Sequence, residues 1–134
     1  MKIDGLSEQT RGEKAHLSVA DALRKLDQTT GARSVWLFEH GTLQVKMGVP
    51  RGPNGEKIDR QQPHSRDEIY VVARGSGVFF DGESWRGCQV GDPLFAPAAS
   101  EHRFEDFSDD FAVWVMFYGP EGGEATASSY SPSR

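Results

Sequence analysis

Cysteine is almost absent from this chain of 134 residues: Cys88 stands alone, so no internal disulfide can form and packing and hydrogen bonds must hold the fold. Clustered basic residues are also missing. The 15 Lys and Arg are scattered and the formal net charge is −5, which removes the electrostatic footprint of a nucleic-acid-binding domain. No apolar run approaches the ~20 residues that a membrane-spanning helix needs. Met1, Lys2, Ile3, Asp4 and Gly5 form no apolar signal segment. These absences lead us to expect a cytoplasmic protein with neither nucleic acid nor membrane as a partner.

Glycine and proline, in contrast, are plentiful. Fifteen glycines and seven prolines fall between short apolar runs, a pattern that favours many short strands joined by turns. The length suits one domain with one core. We expect an N-terminal arm and short helix over 1–32, a β domain over 33–118 and a flexible Gly/Ser/Pro-rich tail over 119–134.

Ser18, with Asp21 three residues later, has the character of a capping box. Val19, Ala22, Leu23 and Leu26 then recur at helical spacing, predicting a helix over about 19–27 that packs on the outside of a sheet. From Arg33 the period becomes two. Strands are expected over 35–39 and 43–47, 69–73, 78–80, 84–86, 93–96, 102–107 and 111–118, about eight to ten in all, which suggests a sandwich or small barrel. Trp36, Phe38, Tyr70, Trp114, Met116 and Tyr118 alternate along these strands and are candidates to line its interior, plain core packing being the first reading for any one of them.

Two stretches carry metal-ligand chemistry. His64 and Glu68 on a single extended strand would lie ~13 Å apart, too far to share an ion. They converge if His64 ends one strand, Ser65, Arg66 and Asp67 turn the chain, and Glu68 begins the next. Gln62, two residues before His64, then points the same way, and Asp67 faces solvent or caps the turn. His102 opens a later strand after the turns at Gly91 and Pro97 and can face the same cluster. Two imidazoles and a carboxylate suit Zn, Fe, Mn or Ni about equally. Tyr70 lies on the face of Glu68, where its hydroxyl can reach a substrate or a polar neighbour. Cys88, in a presumed turn, reads as an inert thiol.

The spacing resembles that of the cupin superfamily. Gly55, Gln62-x-His64, Glu68 and Gly75 follow its first motif, and Gly91, Pro97-Ala98-Ala99, His102 and Asp106 follow its second. The chain departs from the pattern at Gln62, where the family has a histidine, at Ala99, where it has a glycine, and at Asp106, where it has an asparagine. The resemblance implies an all-β cupin double-stranded β-helix, or jelly-roll barrel, with Gln62, His64, Glu68 and His102 around one divalent transition metal. Gln-x-His with Glu and His is similar to the zinc site of type I phosphomannose isomerases, whereas cupin dioxygenases usually keep three histidines and a glutamate. The implied function is Lewis-acid chemistry on a small polar organic molecule, isomerase- or dioxygenase-like, with Glu68 and Tyr70 as catalytic candidates. The alternative is a cupin that binds a small molecule without catalysis. A homodimer is the assembly the resemblance implies.

Overall fold

The structure, a computed structural model, describes residues 16–29, 31–52 and 54–125. The arm expected over 1–15 and the end of the tail, 126–134, lie outside the described residues. Helix α1 (Val19–Asp27) begins as its sequence predicts. Ser18 keeps an extended backbone, and its Oγ accepts a hydrogen bond from the Asp21 amide at 3.0 Å. Ala22 and Leu26 form its buried face, and the helix packs on β1 and β2.

Eight strands follow among the described residues: β1 (Ser34–His40), β2 (Leu43–Gly48), β3 (Asp67–Arg74), β4 (Ser76–Phe80), β5 (Trp85–Gln89), β6 (Pro93–Ala96), β7 (Arg103–Glu105) and β8 (Ala112–Tyr118). All pair antiparallel. They form a five-stranded sheet ordered β1-β2-β8-β3-β6 and a three-stranded sheet ordered β5-β4-β7. Between the sheets, Tyr70, Val72, Val113 and Val115 meet Phe79 and Phe104. This inner core is rich in aromatic pairs, with Tyr70 edge-on to Phe104 at 5.0 Å between ring centres.

The large sheet buries both faces, and this reassigns several residues. On β8, Val113, Val115 and Phe117 face inward, while Trp114 and Met116 pack outward into a second core with Ala22, Leu37, Val45 and Met47. A register shift in β1 between Trp36 and Phe38 interrupts the alternation, so the neighbours Leu37 and Phe38 both reach that outer core. Trp36, on an edge strand, is 48% exposed and carries the Lys46 ammonium 4.7 Å from its ring centre. Of the six large residues expected inside, Tyr70 is the one found in the inner core. Cys88 lies within β5, not in a turn, and is buried.

The turn between β3 and β4 needs its glycine. Gly75 has φ +73°, and a Cβ there would stand 3.1 Å from the Phe111 Cα. The strand expected to end at His64 does not form. Residues 59–64 run without strand pairing, organised instead by Asp59, whose carboxylate accepts from the Gln61 amide at 3.2 Å and from the Phe104 amide at 2.8 Å.

Candidate metal centre

His64, Glu68 and His102 reach one point from three separate parts of the fold. Glu68 is the second residue of β3, His102 immediately precedes β7 in the opposite sheet, and His64 stands in the irregular segment before β3. One ligand atom from each lies within 4.8 Å of the others. His64 Nδ1 is 3.0 Å and His102 Nε2 is 3.2 Å from the same Glu68 oxygen, Oε1. Glu68 is 1% and His102 4% exposed.

The segments bearing these ligands are tied together by main-chain hydrogen bonds. The Ala99 amide donates to the His64 carbonyl at 2.7 Å, and the Gly122 amide donates to the Ser65 carbonyl at 2.6 Å. Arg66 donates to the Gly119 carbonyl at 3.0 Å, to Gln44 Oε1 at 2.7 Å and to the Thr42 carbonyl. Asp67 takes neither place expected of it, solvent or a cap on its own turn. It is buried, and its carboxylate accepts from the Ala98 amide at 2.9 Å and the Glu124 amide at 2.8 Å. The beginning of the expected tail is thereby fastened beside the site.

The polarity of the hydrogen bonds can be worked outward from Asp59, which only accepts. Gln61 Nε2 donates to Asp59 Oδ2 at 2.6 Å, leaving Gln61 Oε1 to accept from the Tyr70 hydroxyl at 2.8 Å. Tyr70 has then spent its proton and turns oxygen lone pairs toward His102 Nε2, 3.0 Å away. The other ring nitrogen, Nδ1, donates to the Ser100 carbonyl at 3.0 Å. His102 Nε2 therefore faces a tyrosine oxygen and a carboxylate, both acceptors, and only a proton or a cation satisfies that arrangement. His64 Nδ1 and Glu68 Oε1 are buried with no aligned hydrogen-bond partner. Unpartnered buried donors of this kind fit a divalent metal, which takes lone pairs from all three residues at once.

Electrostatics agree with that donor set. Burial pushes the Glu68 carboxyl upward, but contact with His102 and then His64 outweighs it and holds the group below its ordinary 4.5. Burial presses His102 downward, and Glu68 more than reverses this, leaving it above 6.5. Burial, followed by the charge of Glu68, raises Tyr70 well above 10.0, so it is a neutral phenol.

The structure brings together His64, Glu68, Tyr70 and His102 and leaves Gln62 outside. Gln62 is exposed, while its neighbour Gln61 lines the cavity beside the cluster. The expected parity of Gln62 and His64 assumed a strand, and residues 59–64 do not form one. Neither Gln61 nor Asp59 was a candidate in the sequence reading, and the adjacent glutamine pair was the one signal pointing near them. The cavity measures about 330 Å³ and lies against the inner face of the large sheet.

Two facing antiparallel sheets with this connectivity, and a His, Glu and His gathered at their inner wall, make the chain a small single-domain cupin in fold. A cupin-2 domain-containing protein of Shewanella frigidimarina superposes with a TM-score of 0.55 at 15% identity, covering 72% of this chain and 91% of that one. An uncharacterised protein of Streptomyces coelicolor is 35% identical over 63 residues, 47% of this chain and 60% of its own length. Acireductone dioxygenase 1 of Pectobacterium atrosepticum is 40% identical over 73 residues, 50% of this chain and 42% of that protein. The chain thus spans less than two thirds of the curated relatives it matches. No protein-family model matches it.

Proposed function

We propose that the protein is a metal-dependent cupin whose divalent transition metal is held by His64, Glu68 and His102, acting on a small polar organic molecule by oxygenase-like chemistry. The observation that carries this reading is the convergence of His64, Glu68 and His102, one ligand atom from each within 4.8 Å of the others, with His64 Nδ1 and His102 Nε2 both turned on Glu68 Oε1. Two histidines and one carboxylate with open positions are the donor set of non-haem iron oxygenases. Gln62 is exposed and does not line the cavity, which favours this reading over a Gln-containing isomerase site. Likeness over half the chain to an acireductone dioxygenase supports the same direction. Bound there, the metal would supply Lewis acidity and, if redox-active, one-electron chemistry.

The protein's own residues prepare the pocket. Phe117 meets the His64 ring edge-on at 5.0 Å and packs against it. Asp59 and Gln61 fix the Tyr70 hydroxyl so that an oxygen lone pair faces the site, a position suited to accept a hydrogen bond from a substrate hydroxyl. Elemental analysis of protein purified without chelator tests the proposal. We expect about one equivalent of iron, manganese or nickel, falling at least tenfold in His102→Ala. Less than about a tenth of an equivalent, with none taken up on dialysis, overturns metal dependence. Zinc alone, with no uptake of the other three, overturns the oxygenase-like part.

A further inference from the structure

The chain carries a net charge of −5, yet the wall of its cavity has the opposite sign. Arg33, Lys46, Arg51 and Arg60 line the cavity against two carboxylates, Asp59 and Glu68. Both carboxylates are already engaged: Asp59 accepts from the Gln61 and Phe104 amides and from the Gln61 side chain, and Glu68 faces the two imidazoles. Among the described residues, none of the four cations forms an ion pair.

Three of these cations are held in place by contacts other than direct ion pairs. Arg51 Nη2 donates to the Asp109 carbonyl at 2.9 Å, while Arg51 Nη1 is buried with no partner. Arg33 Nη1 donates to the Arg51 carbonyl at 3.2 Å, bringing a second guanidinium to the same place. Lys46 is half-buried over the Trp36 ring, and its register opposite Val115, itself opposite Tyr70, sets it on the inner face of the sheet that carries Glu68. Lys46 and Arg51 are only partly buried and have Glu68 and Asp109 in their surroundings without a direct ion pair, so an anionic ligand in contact with them would add the missing close partner.

We propose that the substrate is a small organic anion, bearing a carboxylate or a phosphate, whose charged end sits against Lys46 and Arg51 while its reacting end reaches His64, Glu68 and His102. The inference rests on the metal-dependent reading of the same cavity and adds the class of molecule that enters it. A volume of about 330 Å³ is at the low end for ligand pockets and favours a compact acid. Planar guanidinium groups grip either carboxylate or phosphate through paired N–H donors, so both anions share one recognition chemistry.

Titration calorimetry with malonate, its neutral isostere malonamide and inorganic phosphate tests the proposal on metal-loaded protein, with metal content measured on every sample. Wild type is expected to bind malonate or phosphate at least tenfold more tightly than malonamide, and the tighter of the two anions identifies the charged group. Lys46→Met should weaken anion binding about tenfold or more with metal content unchanged, and Lys46→Arg should restore most of it. Equal binding of malonate and malonamide by wild type overturns the proposal without any variant. So does a Lys46→Met protein that keeps both its metal and its wild-type malonate affinity. Wild-type protein that lacks metal but still prefers the anions through Lys46 overturns the metal-dependent reading alone.

Discussion

Ala99 occupies a backbone conformation that suits glycine. Its φ of 67° is left-handed, as is that of Asp106 at 48°. A methyl group in this region costs about 1–2 kcal/mol, partly offset by the smaller entropy alanine loses on folding. Ala99→Gly should therefore stabilise the protein by about 0.5–1 kcal/mol, read as a higher thermal midpoint with metal uptake unchanged. No stabilisation would mean that the turn relaxes around the methyl group. The position was legible in sequence because the resemblance places a glycine there; its consequence needed the torsion angle. Residues 61 and 62 show the opposite case. Parity tells side chains apart on a strand, and 59–64 form none, so the sequence pointed to Gln62 where the fold uses Gln61.

Among the elements, helix α1 and strand β6 agree with their sequence-based bounds because local signals end them: Ser18 at the helix start, and the Gly91 and Pro97 turns around β6. The inside and outside of β8 were not legible, because a sheet buried on both faces carries apolar residues at both parities. That two-sided burial separates stability from chemistry. Leu37, fully buried in the helix-side core, lies across the sheet from the ligand cluster. Leu37→Ala should cost about 3 kcal/mol in urea unfolding, while folded protein below the transition keeps its metal stoichiometry. Loss of metal from the folded variant would show that the two cores are coupled. Lys46 and Arg51 escaped the sequence reading for a related reason: Lys46 is placed by β2 pairing with β8 and Arg51 by its hydrogen bond to the Asp109 carbonyl, both contacts between distant parts of the chain.

At the level of the whole molecule, Glu68 and His102 link folding to pH when the protein is stripped of metal. Glu68 titrates lower in the folded state than its ordinary 4.5, so its contribution is present above that value and is lost as pH falls through the folded one. His102 titrates above 6.5, so its contribution is complete below 6.5 and is lost as pH rises through the raised value. Thermal midpoints measured with chelator should be highest between 4.5 and 6.5. Glu68→Gln should flatten both flanks, because each shift is produced by the other partner. A wild-type profile that climbs steadily through neutral pH would contradict the assignment.

The ties that gather the ligand-bearing segments run through backbone amides of Ala98, Ala99, Gly122 and Glu124, not through their side chains. An amide is present whatever the residue, proline excepted. At Ala98 and Glu124 substitution can therefore proceed without removing the tie, whereas Gly122, at φ +88°, is held to glycine by its backbone conformation. Ala99 shows how far this goes: with an alanine at a torsion that suits glycine, its amide still makes the hydrogen bond to the His64 carbonyl.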